Sequence, residues 1–400
     1  MNKKLNLNRR GFIKSSILGT AGAFIGTSAL GNTSGKIREP VIKLRQLGKT
    51  DIVLPVVSFG VMRSDNAALV KSAFEMGFVH FDTAHGYQEG RNEIMLGELF
   101  KDTPRDKFVL STKIGAEGID RETGEPGPAT TKESILNKFE LSLQRLQMKY
   151  VDILYLHGVS NKNTALAPQL LEAFDELKKQ GKVRYVGMST HRNEPDVIQA
   201  AIDSNFYDVV LTAINFKHTL ADQIKEKAKL ASEKGIGIIA MKTMAGGFMD
   251  KERQHPINCS AALKWVLQDE NIHTSIPGIV AYDQMLQNFS VMENLELTEQ
   301  EKADLEEAKL VAGLYCDGCS QCQDQCKKHL PVHEFMRAYM YAYGYRHYEN
   351  AYSLLVEIGQ SSNPCGDCKE CMVNCSKGFQ ISERITDVAR LSDIPKDLLV

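Results

Sequence analysis

Excess charge of either sign is absent from this chain. Its 48 Lys and Arg balance 50 Asp and Glu to a net −2, which excludes the broad basic surface a nucleic-acid partner would need. No G-x-G-x-x-G stretch follows an apolar β-branched run, so the turn of a doubly wound dinucleotide-binding sheet is missing. No flavin-binding fingerprint is present either. Beyond residue 30 no long apolar run remains, so no membrane span is expected there. Asp and Glu are missing from residues 1–38, while Lys3, Lys4, Arg9, Arg10 and Lys14 precede an apolar stretch from Ile17 to Ala29. A charged segment leading into an apolar one reads as a targeting segment, the alternative being a basic tail with a stray helix.

Asn8-Arg9-Arg10-Gly11-Phe12-Ile13-Lys14 resembles the twin-arginine export motif, whose pathway carries folded, cofactor-loaded proteins. The resemblance implies a signal at residues 1–31, with Ala29-Leu30-Gly31 for cleavage before Asn32, and a periplasmic protein that meets the export machinery. Left uncleaved, the same segment would be a membrane tether, the one membrane association expected. A cytoplasmic enzyme is the alternative.

Eight of nine cysteines repeat one spacing twice: Cys316, Cys319, Cys322, Cys326 and Cys365, Cys368, Cys371, Cys375. C-x-x-C-x-x-C-x-x-x-C resembles the ligand run of bacterial two-cluster ferredoxins, although Lys327 and Ser376 stand where proline usually follows. The resemblance implies two [4Fe–4S] clusters in a small ferredoxin-like iron–sulfur domain at 311–380, followed by a tail at 381–400. It pairs Cys316, Cys319 and Cys322 with Cys375, and Cys365, Cys368 and Cys371 with Cys326. A disulfide framework and paired zinc sites are the alternatives. Between the two runs, Phe335, Tyr339, Tyr341, Tyr343, Tyr345, Tyr348 and Tyr352 suit packing of a small domain onto a larger one. Cys259 reads as a buried small hydrophobe.

From about 43 to 310, short apolar runs alternate with helical patterns, such as Leu170 to Leu177 closed by Gly181. Eight strands are expected at 56–59, 78–82, 108–112, 153–156, 185–189, 209–214, 236–241 and 274–277. Eight βα units in this span predict an α/β fold, a (β/α)8 TIM barrel, with an open doubly wound sheet as the rival. In such a barrel, chemistry gathers where strands end. Asp82, Tyr87, Lys113 and His157 lie at or after three successive strand ends. Singly, each has a structural explanation as a cap, a solvated charge or a core histidine; together they are chemically matched.

Phe81-Asp82-Thr83-Ala84-His85-Gly86-Tyr87, Glu93 and Gly97, Ser111-Thr112-Lys113 and Tyr155-Leu156-His157 resemble the aldo-keto reductase family. So do Arg45-Gln46-Leu47-Gly48, Val186-Gly187-Met188-Ser189 and Ile276-Pro277-Gly278. The resemblance implies hydride transfer between NADP or NAD and a small carbonyl or alcohol substrate, a sugar among the candidates. Asp82, Tyr87, Lys113 and His157 would be the catalytic tetrad: Tyr87 the acid or base, lowered in pKa by Lys113, which Asp82 holds, and His157 the partner of the carbonyl oxygen. Ser189 and Thr190 would meet the nicotinamide, Asn215 and Lys242 would lie nearby, residues 241–247 would line the pyrophosphate, and Gln287 and Asn288 would read adenine. Thr190 replaces the usual Asn and Leu211 the usual Gln, while Gly278 and Gln284 replace the cations that would meet a 2′-phosphate. The expected protein is an exported oxidoreductase whose clusters carry electrons, with a redox partner, or serve as a staple. An iron–sulfur electron-transfer protein with an idle barrel is the alternative.

Overall fold

The computed structural model describes residues 41–120, 123–322, 324–360, 362–368 and 370–399; the export signal expected at 1–31 lies outside them. The described residues open with a hairpin that sequence periodicity does not announce. β1 (Leu44–Gln46) pairs antiparallel with β2 (Val53–Pro55). Its turn uses Gly48 at φ 54°, where a Cβ would meet Gly237 N at 2.5 Å. Leu47, Ile52 and Leu54 pack with Ile153, Tyr155, Val209 and Ile239, so the hairpin plugs one end of the sheet's interior.

Eight parallel strands follow in chain order: β3 (Phe59–Gly60), β4 (His80–Asp82), β5 (Val109–Ile114), β6 (Val151–Leu156), β7 (Val183–Thr190), β8 (Val209–Ala213), β9 (Gly237–Met241) and β10 (Thr274–Ser275). Bridges from Val57 to Ser275 and from Gly60 to Gly278 join the first and last strands, closing a TIM-barrel-like ring. All six residues of β6 are buried, as expected of a parallel strand covered on both faces. The surrounding helices bury one stripe each. In Pro168–Lys179 the buried residues are Leu170, Ala173, Phe174 and Leu177, spaced for one helical face. Helix Glu299–Lys309 starts on a capping box between Thr298 and Glu301.

Beyond residue 310 the described residues contain no strand, so the likeness of this region to ferredoxins lies in its cysteine spacing alone. Helices Val332–Tyr339, Tyr348–Glu357 and Ile381–Ala389 build a second core around Val332, Phe335, Leu355, Ile385 and Val388. The segment expected as a tail from 381 therefore belongs to this core, because its apolar residues recur at helical spacing. A π-helical turn, Met340–Gly344, leads from the first helix onto the barrel. Polar braces fasten the region there: Lys217 Nζ donates to Val311 O at 2.7 Å, Arg63 to Tyr345 O at 2.6 Å, and Lys377 Nζ to both Asp317 and Lys217 O.

Candidate active site at the barrel mouth

The ends of β4, β5 and β6 bring Asp82, Lys113 and His157 together, and the turn after β4 adds Tyr87. Lys113 and Asp82 form an ion pair with both side chains almost fully buried. Lys113 Nζ also donates to Thr83 O at 2.7 Å, and Ser111 Oγ donates to the other Asp82 oxygen at 2.6 Å. These bonds offset the desolvation of a buried pair. Lys113 lies within β5 rather than at its end, and its amine reaches 4.9 Å from the centre of the Tyr87 ring. The Tyr87 and His157 rings meet edge to face, 6.0 Å apart.

Electrostatics here differ from the sequence expectation in one respect. Burial, reinforced by the Asp82 charge, pushes the Tyr87 phenol upward, whereas a neighbouring lysine alone would lower it. Desolvation outweighs the cation because Asp82 already pairs with Lys113. Burial also lowers Lys113. His157 is pulled down to about 3 by burial and then by Lys113, Arg337 and Lys242, so its imidazole is neutral. The site thus holds a protonated phenol and a neutral imidazole as hydrogen-bond donors beside a buried cation.

Residues expected at the nucleotide are distributed unevenly. Ser189 Oγ accepts from Gly158 N at 3.0 Å, and Thr190 Oγ1 donates to Arg192 O at 2.8 Å. Asn215 Nδ2 donates to Lys242 O at 3.2 Å. Lys242 begins a stretch with positive φ at Lys242, Ala245, Gly246 and Gly247. Its ammonium makes no hydrogen bond or ion pair with any described residue, and burial lowers it to about 8. Asn288 is buried with its Nδ2 unpartnered, whereas the neighbouring Gln287 is exposed. An unpaired cation and an orphaned amide donor fit a nucleotide's phosphates and base, and Gln287 does not contribute a buried contact.

Several residues that sequence reasoning did not nominate shape the same mouth. Glu93, buried, accepts from Thr112 Oγ1 at 2.7 Å and faces Arg145. His80 bridges Ser58 Oγ and Ser111 Oγ at 3.0 and 2.9 Å, beneath Asp82. Arg337 arrives from the C-terminal region, pairs with Glu334 and meets His191 Nε2 at 3.1 Å. Tyr341 comes within electrostatic reach of Tyr87. Part of the aromatic segment given to packing therefore also covers the catalytic end of the barrel.

The Aldo/keto reductase family model matches residues 57–261, just over half of the chain. The chain belongs to the aldo/keto reductase family. It is an oxidoreductase of that family, whose members use NAD(P). It is 26% identical to the L-galactose dehydrogenase of Arabidopsis thaliana over 316 residues, covering 68% of this chain and 94% of that one. It is 24% identical to the L-glyceraldehyde 3-phosphate reductase of Escherichia coli K12, covering 66% and 92%. The solved aldo-keto reductase AKR11C1 from Bacillus halodurans superposes with a TM-score of 0.54 at 25% identity, over 67% of this chain and 96% of that one. These reductase matches leave about a third of the present chain outside them.

All nine cysteines are free thiols in the structure. Cys316, Cys319, Cys322 and Cys375 line a single cavity. Cys365 is within electrostatic reach of Cys368, Cys371 and Cys326. Among the described residues, no group of three or more His, Cys, Asp or Glu is drawn together as a site for a single metal ion. A four-iron cube takes its thiolates at separate corners around a larger volume. Cys259 is mostly buried, with its thiol pushed up to about 11.

Proposed function

We propose that this protein is an exported aldo-keto reductase that reduces a small hydroxylated carbonyl compound with a nicotinamide nucleotide and carries two [4Fe–4S] clusters beyond its barrel. The observation that carries the reading is the buried Asp82–Lys113 pair beside Tyr87 and His157. Tyr87, held protonated, donates the proton that a developing alkoxide takes up. Lys113 then stabilises the phenolate left behind, and neutral His157 donates to the carbonyl oxygen. Lys242 and Asn288 would hold the nucleotide's phosphates and base, while Ser189, Thr190 and Asn215 line its nicotinamide end. Bound, the nucleotide supplies hydride. NAD and NADP are both compatible: Gly278 and Gln284 stand where cations would meet a 2′-phosphate, while the Arg63 side chain passes beside Gly278.

Sugar-like substrates follow from the named activities of the Arabidopsis and Escherichia relatives. The domain plan is a signal at 1–31, a barrel at 43–310 and a cluster region from 311 to 380 extended by the packed helix Ile381–Ala389. The clusters would supply one-electron transfer when present. Export to the periplasm rests on the Arg9-Arg10 motif and on the need to fold around clusters before leaving the cytoplasm. The test uses anaerobically purified full-length protein, a panel of sugars and aldehydes, and the oxidation of NADPH or NADH. Near-normal turnover in Tyr87→Phe would sink the assignment.

A further inference from the structure

His191 and Arg192 directly follow β7, and Lys242 directly follows β9. Because the strands of the ring are parallel, these residues start from the same end of the barrel at which Asp82 closes β4 and His157 follows β6. There they line a small cavity together with His333, Glu334 and Arg337 from the C-terminal region. Arg192, Lys242 and Arg337 bring three cations to it, and Glu334 is the single carboxylate among the described residues of its lining. That carboxylate is engaged, pairing with Arg337 and lying 3.2 Å from His333 Nε2. Nitrogens are left over. The Lys242 ammonium has no partner among the described residues, and the buried Arg337 Nε and the buried His333 Nδ1 have none either. Donors and positive charge converging on one hollow are costly until an anion completes them. They arrive from three separate elements, which suits the several oxygens of a tetrahedral oxyanion.

We propose, resting on the reductase reading above, that the substrate carries a phosphate group and that this cavity holds it. Arg337 donates through Nε, while Arg192 and Lys242 supply charge. The nucleotide's own phosphates are the other source of that chemistry. Two observations favour the substrate. Arg192 lies two residues after Thr190, on the strand end that lines the nicotinamide, where a carbonyl must sit to receive hydride. Arg337 and His333 belong to the third of the chain that the reductase matches leave out, whereas nucleotide use is common to the matched part. Lys242 then stands between the phosphates of the nucleotide and that of the substrate.

The test is calorimetric titration of inorganic phosphate into anaerobically purified full-length protein saturated with oxidised NAD or NADP. Phosphate is expected to bind the nucleotide-loaded protein, and Arg337→Met or, independently, Arg192→Met to weaken it about tenfold with nucleotide affinity little changed; either variant that folds suffices. In steady-state kinetics a phosphorylated hydroxyaldehyde should exceed its unphosphorylated counterpart in kcat/KM by about tenfold or more, an advantage lost through KM in Arg337→Met and partly kept in Arg337→Lys. Phosphate that binds only the nucleotide-free protein would give the cavity to the nucleotide and overturn the proposal. So would the absence of phosphate binding, which would leave the cations as counter-charge to a cluster on Cys316, and so would undiminished binding in both variants. Failure of both nucleotides to bind would instead bring down the reductase reading on which the proposal rests.

Discussion

Lys113 shows how much one buried side chain sets here, since it ties Asp82, Thr83 and the Tyr87 ring together. Replacing it by Met leaves Asp82 charged, buried and without its cation. Lys113→Met is therefore expected to cost about 3–5 kcal/mol, read as a shift of the denaturant midpoint, as well as activity. Tyr87→Phe is expected to lower kcat by about 10²–10⁴-fold with little change in stability, as measured by steady-state kinetics beside a melting curve. Because His157 is already neutral well below its ordinary pKa, kcat should show no break near pH 6.5. A pH profile bending there would assign the histidine a protonated role. That Asp82, Tyr87, Lys113 and His157 would come together at one end of the barrel was legible in the sequence, because they lie at or near successive strand ends in motifs that resemble the aldo-keto reductases. The direction of the Tyr87 shift was not legible, since it depends on how completely other parts of the chain cover the ring.

At the level of elements, the strands were readable wherever apolar runs are long. β6, β7 and β9 coincide with their expected spans to within two residues. The hairpin of β1 and β2 was missed, because two strands of three residues show no period and are held by tertiary contacts with the barrel interior. Packing inside the ring is close at Gly187 in β7. A Cβ there would lie 2.6 Å from Val209 O and 2.7 Å from a Tyr155 ring carbon. Gly187→Ala should accordingly destabilise the protein by about 1–3 kcal/mol, measured by chemical denaturation. The helices past residue 330 were read only as an aromatic segment, since cysteine loops interrupt their pattern and their partners lie far along the chain.

Across the whole molecule, buried histidines make stability depend on pH. His80 is held neutral at about 4 by burial, against 6.5 when free. Between those values the unfolded chain binds the extra proton and the folded one does not, so stability falls as pH drops from about 6.5 toward 4. For this one residue the loss between pH 7 and 5 is on the order of 1–2 kcal/mol. His80→Gln should flatten the dependence of melting temperature on pH over that window. The division into a barrel and a cysteine-rich region was legible from composition and spacing. Their contact was expected from the aromatic segment, but not the pairs that make it, such as Arg63 with Tyr345 and Lys396 with Glu89, which no local pattern links.

Those distant pairs also fix when the protein becomes itself. The mouth of the barrel is built from residues near position 80 and finished by residues near 340, so a ribosome has made most of the chain before its catalytic end can be roofed. Until that moment the mouth lacks Arg337 and Tyr341, and a message truncated after the eighth strand would encode no residues to cover it. Completion of the last helices is thus a checkpoint in time: only a fully synthesised chain presents a closed reaction chamber.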